Sequence, residues 1–424
     1  MLPGIPGSIV PPENTRHLQE RVQFLCHLEH RRFPGSQPIS FASSHLARLE
    51  QEDFWVCEKS DGIRVLMFIY LAGEGHDVFL IDRKNVYRYQ QQGFFFPHYE
   101  DKTRPMRDCV LDGELVLDND PTHGQVLRFL VFDALVIDEQ NIMDKTLTSR
   151  YGVGGSIQRR IREPNSSKRL EQWFFKPYKV MIKEFPQMAS SAPFQLILKP
   201  MQLAYSLEMV LAHVPKLQHG TDGLIYTAVN SKYIPQTDES ILKWKPPHEN
   251  SVDFKLELRF PELRNTGQPD FTQMPMFLLY IWEGGRKYSF YDTLTVMEDE
   301  WEAMKKSKIQ YDDRVIEARW DLKRHAWRMM RMRDDKPDGN HRDVVEKVVQ
   351  TILDPVGESD LVARCPSIRT HWKARHAANG VRPPPYNFSP PEPAFPGAPH
   401  WQGASVGYGF AKVTGPASVD GWKR

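Results

Sequence analysis

The sequence predicts an α+β protein: a domain of mixed or antiparallel sheets followed by a smaller, C-terminal β-barrel domain. Three observations carry this expectation. Strand patterns follow one another from Phe54 to Tyr89 with turn residues between them. Short alternating strands resume after a break at Pro246, Pro247 and Asn250. Helical periodicity is confined to a few separate segments. With 424 residues, 40% of them hydrophobic, the chain is long enough for two or three domains around sizeable cores.

Residues 1–15 are rich in Pro and Gly and read as a flexible arm, whereas Leu18, Val22, Leu25 and Leu28 recur at helical spacing over 16–31. The strands FWVCEK, GIRVLMFIYL and VFLIDR come next, then Cys109–Leu117 and Leu127–Asp138. A basic, turn-rich segment over 159–168 leads to a strand near Phe194–Leu198, a helix over Ser206–Leu217, and the strand pair GLIYTAV and ILKWKP. Beyond Ser251 the runs VDFKLEL, FLLYIW, RKYSFY and DRVIEARW have the spacing of a small barrel. An amphipathic helix is expected over Arg342–Leu353. From Pro383 to His400, eight of eighteen residues are proline, so 376–424 reads as a disordered tail with too little apolar surface to offset its ordering entropy. The expected boundaries are therefore 1–15, 16–247, 248–340, a helical segment at 341–375 packing back, and 376–424.

A formal net charge of +1 excludes a global basic field, so any nucleic-acid binding must come from local clusters. The four cysteines show no C-x-x-C spacing, which argues against a zinc site or disulfide framework and for a reducing compartment. No signal-peptide core precedes residue 20, and the longest apolar run, Val65–Ala72, is too short to span a bilayer. An intracellular protein without a membrane role is expected.

The chemistry is concentrated in short clusters. K-S-D-G at 59–62 puts a lysine at the mouth of an apolar strand, where a cation is costly to desolvate. Alone, K-x-D-G would arise by chance in roughly one chain of this length in ten, and it reads equally as a solvated strand edge and a turn. Its company raises its weight. In LDGELV, Asp112 and Glu114 share one strand face and could hold a ribose hydroxyl or a divalent metal, while Asp222 leads a glycine into the strand TDGLIYT. Lys243 and Lys245 lie on one face with Trp244 on the other, a cationic platform suited to phosphate. Phe132 is either core or a ring stacked on a base. WRMMRMRDDK at 327–336 crowds four cations into nine residues and reads as a loop or short helix presented to an anion.

Taken in order, these clusters resemble the covalent nucleotidyltransferases, the superfamily of mRNA guanylyltransferases and ATP-dependent polynucleotide ligases. K-S-D-G resembles the nucleotidyl-lysine motif, and D-G-E (112–114), the F-D strand (132–133), D-G-L-I (222–225), K-W-K (243–245) and R-x-D-K (333–336) resemble the remaining signatures. LKWKP followed by VDF, the tryptophan-led W-x-x-x-R-x-R-x-D-K motif and the lack of a large N-terminal DNA-binding region favour the stand-alone, fungal type of capping enzyme. The resemblance implies an ATP-grasp-like, ligase/capping-enzyme nucleotidyltransferase domain joined to an OB-fold.

It also implies roles. Lys59 would attack the α-phosphate of GTP to give a lysyl-GMP adduct, and the 5′-diphosphate end of RNA would accept the GMP as a GpppN cap. Arg64 and Glu114 would hold the ribose, Phe132 would stack on guanine, and Lys199 would read its O6. Lys243 and Lys245 would contact the α-phosphate. Asp222, with Glu114, would bind Mg²⁺ or Mn²⁺, and Arg333, Asp335 and Lys336 would orient the pyrophosphate. Arg83 and Lys84 either line the pocket or decorate a turn. The implied partners are an RNA 5′-triphosphatase subunit and the phosphorylated C-terminal domain of RNA polymerase II, in the nucleus. A ligase using ATP and a non-catalytic scaffold for the transcription machinery are the alternatives. A free lysine, with a pKa near 10.4, needs about 3 to 5 kcal/mol of bias towards its neutral form to act as a nucleophile. Desolvation and neighbouring cations would supply that bias, and Asp61 must then sit off the attacking nitrogen.

Overall fold

The run Ile63–Ala72 is apolar on both faces because both are covered. In the computed structural model Val65, Met67 and Ile69 enter one core with Leu111, Phe129 and Val131. Leu66 and Phe68 enter a second core with Leu18, Val22 and Leu25 of the helix Pro12–Leu25. The structure describes residues 3–73, 75–90, 94–121, 124–151, 169–185, 192–263, 268–377 and 422–423. The basic segment expected over 159–168, and the expected disordered tail apart from 376–377 and 422–423, lie outside the described residues.

The described chain divides into two units. The first comprises residues up to Phe41, His45–Trp244 and the helix residues from Ser359, and the second comprises Ala42–Ser44 and Lys245–Glu358 with 422–423. Two sheets build the first unit. One runs Ser8–Ile9, Tyr87–Gln90, Gly75–Ile81, Ile63–Ala72, Cys109–Asp120, Gly124–Ile137 and Gln195–Leu198, antiparallel until the parallel last pair, with Gln140–Asn141 as a spur. The other runs Gln202–Leu203, Phe54–Ser60, Thr221–Ala228, Gln236–Trp244 and Ser36–Ser40. Chain ends depart from expectation. The first helix begins at Pro12, not Arg16, because proline is pre-organised for the first helical turn, and it stops before His27, whose φ of 52° is left-handed. Ser8–Ile9 pairs with Arg88 and Tyr89, so part of the expected arm is a strand.

In the second unit Lys287–Thr293, Met276–Gly284, Ser251–Pro261, Arg314–Asp321 and Ala326–Met332 form an antiparallel sheet. Its face packs with Val345, Val349 and Ile352 of the helix Arg342–Leu353. A single bridge, Leu294–Trp327, links the region after one outer strand to the other outer strand. The segment WRMMRM is a strand, which corrects the expected loop or short helix. Trp327 is fully buried and its neighbours' charges are met along the sheet: Arg331 Nε donates to Glu317 at 2.6 Å and Arg328 Nη1 donates to the Thr295 carbonyl at 2.9 Å.

The helical segment expected over 341–375 is two helices in different units. Glu358–Ala377 packs on the first unit, where Arg375 donates to Asp53 at 2.7 Å and Trp372 meets Tyr205 edge to face at 5.3 Å. The four cysteines are buried, free thiols. Among the described residues no helix is long and apolar enough to cross a membrane.

Candidate active site

Lys59 is the penultimate residue of Phe54–Ser60. Alternation puts it on the face of Trp55 and Cys57, which are buried, so the lysine stands where that apolar face opens. Cys57, Ile225 and Lys243 pair in one row across three strands, which places Lys243 on the same face. The neighbouring strand carries a bulge between Thr221 and Leu224, with Gly223 at φ 140°. The bulge turns Asp222 towards the lysine, whose Nζ donates to Asp222 Oδ1 at 2.6 Å. Both side chains are about a quarter exposed, at 26% and 23%, so the pair is accessible and only partly hydrated.

Asp61 is exposed, and its amide donates to the Gly220 carbonyl at 2.8 Å. The lysine's carboxylate partner is Asp222 instead. Gly62 is needed for a close approach, though to protein rather than ligand. A β-carbon there would fall 2.3 Å from the Leu115 carbonyl oxygen.

The antiparallel register sets Arg64 opposite Glu114. Arg64 is buried, and its Nε and Nη2 donate to Asp112 at 3.0 and 2.5 Å. Its guanidinium also donates to the Ser36 carbonyl and lies 5.4 Å from the centre of the Phe132 ring. Asp112 is fully buried and also accepts from the Tyr233 hydroxyl at 2.5 Å. The two acids of D-G-E thus separate in role. Asp112 is spent on structure, whereas Glu114 is surrounded by the fields of Lys199, Lys59, Arg64 and Arg83. Burial nevertheless wins and holds the Glu114 carboxyl above its ordinary range, with those four cations opposing.

A carboxyl whose folded pKa is raised contributes stability while protonated and loses it as pH rises through the folded value. Glu114→Gln is therefore expected to raise Tm relative to the parent, with the gain growing from pH 4 to pH 7. Paired thermal melts across that range check the sign.

Lys199 follows the parallel strand Gln195–Leu198 and is buried. Its Nζ donates to Ser60 Oγ at 2.7 Å and lies 3.2 Å from Glu58 Oε1. Burial alone would lower its pKa, but the negative side chains around it, Glu58 and Glu114 among them, reverse this and raise it. Ser60 Oγ lies 3.2 Å from His219 Nε2, and His219 Nδ1 lies 2.7 Å from Asp118 Oδ1. Lys243 is half-buried at the end of Gln236–Trp244, Trp244 is buried on the alternate face, and Lys245 follows beyond the strand.

In the second unit Arg333 Nη1 donates to Asp253 Oδ1 at 3.0 Å, and its Nε and Nη2 donate to Asp335, each at 2.8 Å. Lys336 also pairs with Asp253. The hydrogen bonds from Arg333 hold the Asp335 carboxyl well below the usual carboxylate range. Sequence reasoning named Arg333, Asp335 and Lys336 but not Asp253, although VDF was visible. It also missed Ser60, though that residue lies within K-S-D-G, and Glu58, His219 and Asp118, which carry no motif signal of their own.

A family model described as "mRNA capping enzyme, catalytic domain" matches residues 3–247, and one described as "mRNA capping enzyme, C-terminal domain" matches 249–362. The chain belongs to the mRNA capping enzyme family. It is similar to the mRNA-capping enzyme subunit alpha of Neurospora crassa, 37% identical over 392 residues, covering 87% of this chain and 93% of that protein. The Schizosaccharomyces pombe protein of the same name is 37% identical over 378 residues, covering 88% and 89%. The Saccharomyces cerevisiae one is 35% identical over 421 residues, covering 88% of each. The two capping-enzyme matches meet at 247–249, beside the change of unit at Trp244–Lys245. As a capping enzyme of guanylyltransferase type the chain is a nucleotidyltransferase, and the ligase and scaffold alternatives fall away. The capping-enzyme catalytic match contains Lys59, Glu114, Lys199, Asp222 and Lys243.

Proposed function

We propose that Lys59 is the nucleophile of a GTP:RNA guanylyltransferase, and the observation that carries this is its partly buried place where an apolar face opens, shared with the cation Lys243; Asp222, 2.6 Å from Nζ, favours the ammonium and must release it before attack. After losing a proton, Lys59 Nζ attacks the α-phosphorus of GTP. The P–N bond forms as the bond to pyrophosphate breaks. A terminal oxygen of a 5′-diphosphate RNA then attacks the same phosphorus, the P–N bond breaks, and the lysine amine is released with a GpppN end formed.

Within this reading Glu114 accepts hydrogen bonds from the ribose hydroxyls, and Arg64, opposite it in the ladder, fixes the floor of the site with Phe132. Phe132 stacks on the base and Lys199 meets its carbonyl. Lys243 and Lys245 offset charge at the α-phosphate, and Arg333, Asp335 and Lys336 of the second unit bind the leaving pyrophosphate. Asp222 and Glu114 suit a divalent cation such as Mg²⁺ or Mn²⁺, because such an ion needs only one or two protein carboxylates when phosphate oxygens complete its shell. When bound it would neutralise charge developing on the phosphates.

Five antiparallel strands and the Leu294–Trp327 bridge support an OB-fold over 248–340, after a catalytic domain over 16–247. The fungal relatives' designation as subunit alpha supports a second subunit. We assign it to an RNA 5′-triphosphatase, with the phosphorylated polymerase tail as a further partner and the nucleus as the place of action.

The test is incubation with GTP or ATP, each labelled at the α-phosphate, and Mg²⁺, followed by mass spectrometry. GMP on Lys59 is expected. Label from ATP alone, or an adduct on another residue, overturns the reading.

A further inference from the structure

The buried chain that begins at Lys199 has a direction. Asp118 accepts from the Arg128 guanidinium, whose Nη1 also donates to Gln218 Oε1 at 2.9 Å, so the Asp118 carboxylate acts as an acceptor here. The His219 nitrogen facing it at 2.7 Å, Nδ1, must then carry a proton. In a neutral imidazole Nε2 is left as an acceptor, and the group 3.2 Å away is the Ser60 hydroxyl. A hydroxyl has one proton to give. Its two acceptors are His219 Nε2 at 3.2 Å and Glu58 Oε1 at 3.4 Å; with the proton given to the nearer, His219, the Ser60 lone pairs face Lys199 Nζ at 2.7 Å. Donation therefore runs Lys199 to Ser60 to His219 to Asp118; Lys199, Ser60 and Asp118 are buried, and the His219 side chain is 5% exposed.

This arrangement fixes the Lys199 ammonium. Of its three N–H bonds, Ser60 and Glu58 engage two among the described residues, which leaves one for a ligand. A donor fixed in direction inside a buried site accepts a carbonyl oxygen and rejects an amino group, because two facing donors leave each other unpaired. At the position where guanine presents a carbonyl, adenine presents an amine.

We propose that Ser60, His219 and Asp118 are positioning residues for nucleotide choice: they orient Lys199 so that a purine carrying a carbonyl is taken and one carrying an amine is refused. This rests on the proposed placement of the base against Lys199. A merely structural role for His219 would weaken all nucleotides alike, whereas a positioning role changes their ratio.

The experiment measures adduct formation from labelled GTP and its inhibition by unlabelled ATP, in the full chain with Mg²⁺. In His219→Ala the KM for GTP is expected to rise about tenfold with kcat little changed, while the concentration of ATP that halves labelling falls relative to that KM. His219→Gln, whose amide can still accept from Ser60, is expected to recover most of the discrimination, and Ser60→Ala to behave as His219→Ala does. Should the alanine variant be poorly folded, the glutamine and Ser60 variants still decide. Lys199→Met separates the two layers of the claim. If it abolishes discrimination while the His219 and Ser60 variants lower GTP and ATP binding equally, the positioning proposal is overturned and the Lys199 reading stands. If Lys199→Met itself discriminates normally, both are overturned.

Discussion

Lys59→Ala is expected to abolish the GMP adduct, and Lys59→Arg to abolish it as completely while keeping the fold. The pair separates charge from nucleophilicity. Arginine can retain an ion pair with Asp222, which lies 2.6 Å from the present ammonium. It cannot supply a neutral amine near neutral pH, since its pKa exceeds 12 and its charge is delocalised. An ordinary lysine near pKa 10.4 is neutral in about one molecule in 2,500 at pH 7, and arginine in at least tenfold fewer even at a pKa near 12. With the poor nucleophilicity of a guanidine added, labelling should drop by a factor of at least about 10³. Denaturing-gel detection of labelled protein reads the loss, and a Tm within about 2 °C of the parent for Lys59→Arg shows that the site is still built. Label persisting in Lys59→Arg and mapping to Lys243 would transfer the nucleophile to that neighbour. Lys199 is a poorer substitute, being buried and tied to Ser60 and Glu58.

The placement of these residues was legible in the sequence to different depths. Alternation gave the split of Lys243 from Trp244, because a strand's side chains obey a period of two whatever the surrounding topology. The ends of elements were less accessible: Pro12 starts the first helix and His27 terminates it through local backbone geometry that hydrophobic spacing does not register. Charge misled in WRMMRM, where Arg328 and Arg331 suggested a solvated loop or helix. Cross-strand acceptors, invisible until Arg314–Asp321 is paired, make the same arginines compatible with a sheet.

The site shows the same limit. D-G-E presented two equivalent acids, and only Arg64 and Tyr233, 48 residues upstream and 121 downstream of Asp112, make one structural. His219 and Asp118 are 101 residues apart and belong to no pattern that a local reading could find.

The Arg64–Asp112–Tyr233 group predicts a large loss of stability without touching the nucleophile. The Asp112 side chain is 0% exposed and that of Arg64 is 7%. Burial, the largest single influence, would lower the Arg64 pKa, but Asp112 with Tyr233 and Glu114 together reverse it and raise the guanidinium above its ordinary value, so the charge persists in the core. Removing the carboxylate strands that charge and leaves the Tyr233 hydroxyl without its buried acceptor. Breaking a buried pair from one side costs about 3–5 kcal/mol. At about 2–4 °C per kcal/mol for a domain of this size, Asp112→Ala should lower Tm by roughly 6–20 °C. The cost lies in the stranded cation, so a second change that removes it should return much of the stability. Arg64→Met/Asp112→Ala is expected to melt well above Asp112→Ala alone, a non-additivity that a double-mutant cycle measures directly. A Tm drop below about 2 °C for Asp112→Ala, or simple additivity of the two changes, would show that water or another group already satisfies Arg64. The double variant should still label poorly, because Arg64 faces Glu114 across the ladder and its guanidinium lies against Phe132. Stability recovered without activity would place the group's function in holding the nucleotide floor, beyond its part in keeping the sheet folded.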